Sequence, residues 1–246
     1  MLAEPADQMR LLDLADLDSE LGRLQHTAKS LPQHQRIADL MAIRQQVTDD
    51  LTALTTQVGD LRIAVKRAEG DLVPVRARLE RESKRVADGS VSDPKILRGL
   101  LEEVERLRNR ISVLEDEELE VMGELESAES LASKGADRKA QVESELRVLV
   151  AERNDQVARL QAEAKDVQAS RAAKAAATPA DLLTLYERIR AQRGLGAARL
   201  ARGRCSGCQL EITPADLDGY RRAPANQVLR CAECDRILVR TPESGL

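Results

Sequence analysis

Residues 87–94, Ala-Asp-Gly-Ser-Val-Ser-Asp-Pro, interrupt the longest regular pattern in this chain. Gly89 can take the left-handed backbone that ends a helix, Ser92 or Asp93 can cap the next helix, and Pro94 suits its first turn. On the N-terminal side, alternating steps of three and four residues from Ile37 pass through Leu40, Arg44, Val47, Leu51, Leu54, Val58, Leu61, Val65, Ala68, Leu72, Val75, Leu79, Glu82 and Val86. Only Arg44 and Glu82 in that series are polar. A seven-residue apolar repeat sustained this long supercoils paired helices to the left. On the C-terminal side the steps resume at Leu97, Leu100, Val104, Leu107, Ile111 and Leu114. They weaken where Glu118, Gly135 and Lys139 meet the seam, and return through Val142, Leu146, Leu149, Val157, Leu160, Ala164 and Val167. The slip between Leu149 and Val157 reads as a stutter, and the Gly135 region as frayed or bulged.

The breaker therefore lies between two arms of about eighty residues, each roughly 120 Å long as a helix. A continuous parallel rod needs no hinge at its middle, so the predicted fold is mainly α: a long antiparallel coiled-coil hairpin over residues 1–177 with its tip at 87–94. Upstream, Leu14, Leu17, Leu21 and Leu24 keep the same steps until Pro32, where the helix must kink or restart, and Pro74 predicts a milder kink. The composition suits a thin core. There is no Phe or Trp, only Tyr186 and Tyr220 are aromatic, and 33% of residues are charged. A net charge of −4 gives no global attraction to nucleic acid or anionic membrane. The opening MLAEPADQMR has no apolar run of the kind that directs export, and no stretch approaches the roughly 18 apolar residues of a membrane span. The expected location is the cytoplasm.

After an alanine-rich stretch, Thr178-Pro179-Ala180-Asp181 reads as a capped start of a neck helix carrying LLTLYERIRAQR. A second Thr-Pro-Ala-Asp at 213–216 predicts a shorter helix through Tyr220. Alternating character in GAARLARGR, NQVLR and RILVR predicts short strands around it. Residues 178–246 are thus expected to form a neck helix and a small separate domain.

That domain holds all four cysteines, Cys205-x2-Cys208 and Cys231-x2-Cys234. Two such knuckles can place four thiolates tetrahedrally about one Zn2+, an ion without ligand-field demands. A thioredoxin-type pair wants a single CxxC at a helix start after a buried strand. Disulfides need an oxidising compartment, and an iron–sulfur cluster fits a thin, exposed domain poorly. A closed shell of four thiolates has no open position for water, so the expected zinc is structural and the domain depends on it for folding.

Several segments together resemble a known family: VSDPKILRGLLEEVERLRNR at 91–110, LEDEELEVM at 114–122, LYERIR at 185–190, CSGCQ at 205–209 and LRCAECDRIL at 229–238. They are similar to bacterial coiled-coil hairpin proteins with a C4-type zinc-ribbon tail. Asp93 stands where many relatives carry Asn before the tip proline. The resemblance implies a non-enzymatic adaptor or chaperone-like protein. Some members are associated with the nitrogen-type sigma factor, flagellar regulation and messenger RNA, and others with type III secretion.

Two surfaces are candidates for contact with a partner. One is the tip, Val91, Ser92, Asp93, Pro94 and Lys95. The other is the arginines of the neck and ribbon: Arg188, Arg190, Arg193, Arg199, Arg202, Arg204, Arg221, Arg222, Arg230 and Arg236, with Arg240 beyond them. Guanidinium groups on a rigid ribbon can contact phosphates of RNA or DNA in pairs. Against this, residues 194–246 hold eight arginines and six acids, and four thiolates with Zn2+ bring the sum to zero. Almost no aromatic surface is available for base stacking, and the plainer reading is a solvated or protein-binding face. Glu115 to Glu120, EDEELE, reads as a solvated acidic helix face, and His26 and His34 as solvent-facing residues. Neither a nucleophile grouping nor a phosphate loop is present, so neither catalysis nor a small-molecule substrate is expected.

Overall fold

The computed structural model describes residues 1–246. Five helices and four strands follow in chain order: α1 (Pro5–Lys29), α2 (Pro32–Ala87), α3 (Pro94–Ala176), α4 (Ala180–Arg193), β1 (Ala197–Ala201), β2 (Arg204–Cys205), α5 (Pro214–Arg222), β3 (Leu229–Arg230) and β4 (Ile237–Arg240). The chain forms two compact units, one of Gln35–Val150 and one of Met1–His34 with Ala151–Leu246. This grouping differs from the expected 1–177 and 178–246. The first residues of the chain pack with the last, because the apolar face of α1 is covered by α4 and the sheet.

In Gln35–Val150, α2 and α3 run antiparallel. Every apolar position of the predicted seam on α2 is buried or half-buried, whereas Arg44 is exposed. Leu72 packs with Ile111 and Leu114, and Ile37 and Leu40 pack with Val142 and Leu146. Interhelical pairs follow the same register: Arg36–Glu145, Arg62–Glu129 and Arg76–Glu115, each at 2.7 Å, and Arg78–Glu103 at 2.8 Å. The first three are largely exposed and in the last Glu103 is half-buried, so the exposed pairs each add little stability. They select the register that the seam also selects.

The reversal at 87–94 has the expected chemistry. Gly89 takes φ 62°, and the Asp88 N–H and Ser90 hydroxyl donate to Lys84 and Arg85 carbonyls at the end of α2. Asp93 Oδ1 accepts from the Lys95 N–H at 2.8 Å, capping α3 one residue before Pro94. At Pro32 the helix restarts rather than kinks. The Gly135 expectation is corrected, since α3 is unbroken there. A Cβ at Gly135 would lie 3.5 Å from Leu51 Cδ1, so glycine is a small residue opposite a large one in a continuous seam.

In the other unit, Leu11, Leu12, Leu14 and Ala15 of α1 form one core with Leu182, Tyr186 and Ile189 of α4 and with Ala197, Val228, Ile237 and Val239. Four apolar positions within five residues make a face wider than a coiled-coil seam, as a helix packed on more than one neighbour requires. The sheet order is β2-β1-β4-β3, with β1 parallel to β4 and the outer pairs antiparallel. Leu2 bridges Gln227 beside β3, and the Ala3 N–H donates to the Asn226 carbonyl at 2.7 Å. Gly196 permits the close approach of β1 to α4, because a Cβ there would collide with the Tyr186 carbonyl and ring.

The two Thr-Pro-Ala-Asp segments behave differently. Thr213 caps α5: its hydroxyl accepts from the Asp216 N–H at 3.2 Å and donates to the Asp216 carboxylate at 2.7 Å. Thr178 does not cap α4, because its hydroxyl donates back to the Lys174 carbonyl at 2.9 Å. The carbonyls at the end of α3 need donors, and Thr178 follows them immediately.

Candidate metal centre

The four cysteines come together from two knuckles of matching construction. In the first, the Cys205 N–H donates to the Leu210 carbonyl and the Gln209 N–H to the Cys205 carbonyl; in the second, Cys231 N–H donates to Arg236 and Asp235 N–H to Cys231. Gln209 and Asp235, at the same place in each knuckle, have φ of 64° and 62°. Non-glycine residues in this region carry strain, and here each reverses the chain directly after a ligand.

All four sulfurs lie within 4.8 Å of one another. Cys205 and Cys234 Sγ are 3.8 Å apart, and Cys208 and Cys231 Sγ are 3.9 Å apart. Sulfurs at the usual zinc–thiolate distance of about 2.3 Å stand about 3.8 Å apart on a tetrahedron. No disulfide joins them. The residues therefore fit one structural zinc ion with Cys205, Cys208, Cys231 and Cys234 as its ligands. Burial pushes the Cys205 thiol up to about 12, and the opposing Gly207 and Cys208 N–H groups do not offset it. Cys234 is also raised by burial, but hydrogen bonds from the Arg236 backbone and side chain and from neighbouring cysteines bring it down to about 7. A divalent ion supplies the positive charge that this buried thiolate set needs.

Sequence reasoning missed the second polar centre of this unit. Asp18, whose side chain is 2% exposed, accepts from Arg171 at 2.6 Å, pairs with Arg190 at 2.9 Å, and accepts from the Tyr186 hydroxyl at 2.6 Å. Arg171 and Arg190 also reach Glu187, at 2.6 and 3.2 Å. The Arg171 pKa is raised, first by its bond to Asp18, and the Tyr186 pKa is raised by burial and then by Asp18. The available signal was an acid, Asp18, on the inward side of the Leu14–Leu24 stripe, and one of its partners, Arg190, lies in the LYERIR run.

This network and other local pairs engage many candidate contact arginines. Arg199 pairs with Asp16 at 2.5 Å, Arg204 with Glu211 at 2.6 Å, Arg221 with Asp218 at 3.0 Å, and Arg230 with Asp235. Arg222 donates to the Asp218 carbonyl, and Arg236 to three carbonyls. Arg240 gathers the Tyr220, Ala223, Pro224, Ala225 and Gln227 carbonyls. Arg188, Arg193 and Arg202 are exposed. At the tip, Val91 is half-buried and Ser92, Asp93, Pro94 and Lys95 are exposed. Within the acidic run, Glu115 is paired with Arg76, and Asp116, Glu117 and Glu120 are exposed. His34 faces solvent while its ring meets the Ala28 carbonyl at 3.0 Å. No helix is long and apolar enough to cross a membrane.

Comparison with known proteins agrees with this geometry. Residues 14–194 match the CT398-like coiled coil hairpin domain, and residues 204–238 match the C4-type zinc ribbon domain. An uncharacterized protein of Mycobacterium tuberculosis is 36% identical over 250 residues, covering 98% of each chain. One of Mycobacterium leprae is 30% identical over 240 residues, covering 94% of this chain and 95% of its own. A solved Mycobacterium smegmatis structure superposes with a TM-score of 0.84 at 32% identity, over 98% of this chain and 100% of that one. CT398 from Chlamydia trachomatis shares the fold, with a TM-score of 0.70 at 17% identity over 96% and 98% of the two chains. The matched hairpin, the cysteine geometry and the relatives together establish that this chain belongs to the CT398-like coiled-coil hairpin family, with a C4-type zinc ribbon at its C-terminal end.

Proposed function

We propose that the protein is a non-enzymatic adaptor, acting in the cytoplasm, that presents a helical hairpin and a structural zinc ribbon to a protein partner. The observation that carries this reading is the closed sulfur set. Four cysteines occupy all the positions of a tetrahedral ion, and such an ion has no site left for a substrate or a reactive water. What the hairpin offers instead is surface. Ile63, Val73 and Leu119 are each more than 60% exposed on α2 and α3, outside the seam that the two helices share. Val91 to Lys95 form the reversal where a partner would meet backbone and side chains together. The full-length protein carrying a photo-crosslinking residue at Leu119 or Ser92 should capture one reproducible protein from its native cell, identified by mass spectrometry. Capture at neither site, with capture from the ribbon face alone, would overturn the assignment to the hairpin.

A second reading, RNA binding through the ribbon and α4, rests on Arg188, Arg193 and Arg202, whose exposed guanidinium groups form no ion pair. Binding of this kind must weaken steeply with salt. A mobility shift at low and physiological salt with the triple variant R188Q/R193Q/R202Q tests it: loss of a salt-sensitive shift supports RNA binding, and an unchanged shift removes these residues from it.

A further inference from the structure

Arg236 follows the last zinc ligand by two residues, yet its side chain reaches back to the end of α4. Its Nη2 donates to the Arg193 carbonyl at 2.7 Å, its Nε to the Leu195 carbonyl at 3.2 Å, and its Nη1 to the Gly207 carbonyl at 3.3 Å. Gly207 lies inside the first cysteine knuckle, and Arg236 directly follows the second. The carbonyls of the last helical turn have no partner within the helix and attract a cation. In α4 the Gly194 N–H satisfies the Arg190 carbonyl at 2.8 Å, and Arg236 satisfies that of Arg193. The fit is close. A Cβ at Gly207 would lie 2.8 Å from Arg236 Cδ and 3.0 Å from Ala198 Cβ, so glycine leaves the space through which the arginine passes.

We infer that Arg236 is a positioning residue that links both cysteine knuckles to the C-terminal turn of α4, so that zinc occupancy governs the order of that turn. Besides its bond to the Cys234 sulfur, the guanidinium serves three backbone acceptors from two segments, and only a planar fork with several donors can serve them together. With zinc bound, the knuckles hold Arg236 in place and the helix end is capped. When zinc leaves, the knuckles relax and the cap is withdrawn, which alters the surface that carries Arg193. The same link works in reverse, since an arginine held by α4 steadies the knuckles around the ion.

The test uses full-length zinc-loaded protein, with hydrogen exchange across α4 and the rate of zinc release to a chromogenic chelator. In the parent protein, zinc removal should raise exchange in the last turn of α4. In R236Q that turn should exchange rapidly with zinc still bound, while amides around Tyr186 stay protected, and zinc should leave about tenfold faster. R236K should fall between the two, and R240Q, which removes an arginine that caps only ribbon carbonyls, should leave the α4 turn unchanged. Cobalt substitution verifies that each variant retains a tetrathiolate site by its visible spectrum. If R236Q does not load metal, R236K and G207A are read the same way, the latter displacing the guanidinium by its added methyl. A zinc-protected last turn in these variants, equal to that of the parent, would overturn the inference. So would a last turn in the parent protein that is indifferent to zinc.

Discussion

The two units of this chain are stabilised in opposite ways. In Gln35–Val150 one small interaction is repeated. Leucine or valine meets the seam every three or four residues, and exposed arginine–glutamate pairs flank it. In Met1–His34 with Ala151–Leu246 a few atoms hold many segments: Asp18 joins α1, α3 and α4, four sulfurs converge from two knuckles, and Arg236 serves three carbonyls. Repetition spreads the effect of a substitution along a helix, whereas concentration makes single residues decisive.

The largest expected effect is at the sulfurs. Cys231→Ser leaves three ligands, and structural zinc contributes on the order of 10 kcal/mol to such a domain. Elemental analysis should fall from one zinc per chain to near none, with loss of ribbon structure and retention of most helical circular dichroism. Loss of the hairpin helices as well would break the contrast between the units. Next is Asp18→Ala, which leaves Arg171, Arg190 and the Tyr186 hydroxyl facing each other without their shared acceptor. About 4 kcal/mol should be lost in denaturant unfolding, and a loss near zero would show that the network is dispensable. Leu72→Ala in the other unit removes a side chain 1% exposed and should cost about 3 kcal/mol. The helix that surrounds it should remain folded by hydrogen exchange.

Smaller effects sharpen the comparison. Thr213→Ala removes a working helix cap and should cost about 1 kcal/mol. Finally, Arg62→Ala, at an exposed pair repeated elsewhere along the hairpin, should change stability by less than about 0.5 kcal/mol. A larger loss would mean that the pairs do more than agree with the seam.

Much of the molecule is legible in the sequence because its information is local or periodic. The heptad steps name the buried face of α2, the Gly89 to Pro94 reversal carries its own turn chemistry, and two CxxC knuckles specify their ligand set by spacing. Arginine roles were not legible. Arg199, Arg204 and Arg230 look free in sequence because Asp16, Glu211 and Asp235 become their neighbours only when α1 packs on the sheet and the two knuckles turn the chain back. The identical Thr-Pro-Ala-Asp segments make the same point. Thr213 caps a helix while Thr178 turns to the end of the preceding one, a choice set by what lies on the N-terminal side.

Sequence by itself determined the elements, the hairpin and the zinc ligands, since backbone propensity, side-chain period and ligand spacing act over a few residues. Tertiary structure alone decided that the first residues pack with the last, that Asp18 becomes a buried hub, and that Arg236 joins a metal site to a helix end. Those outcomes depend on which distant groups share a low-dielectric interior, and there an unsatisfied charge or carbonyl is costly enough to select its partner.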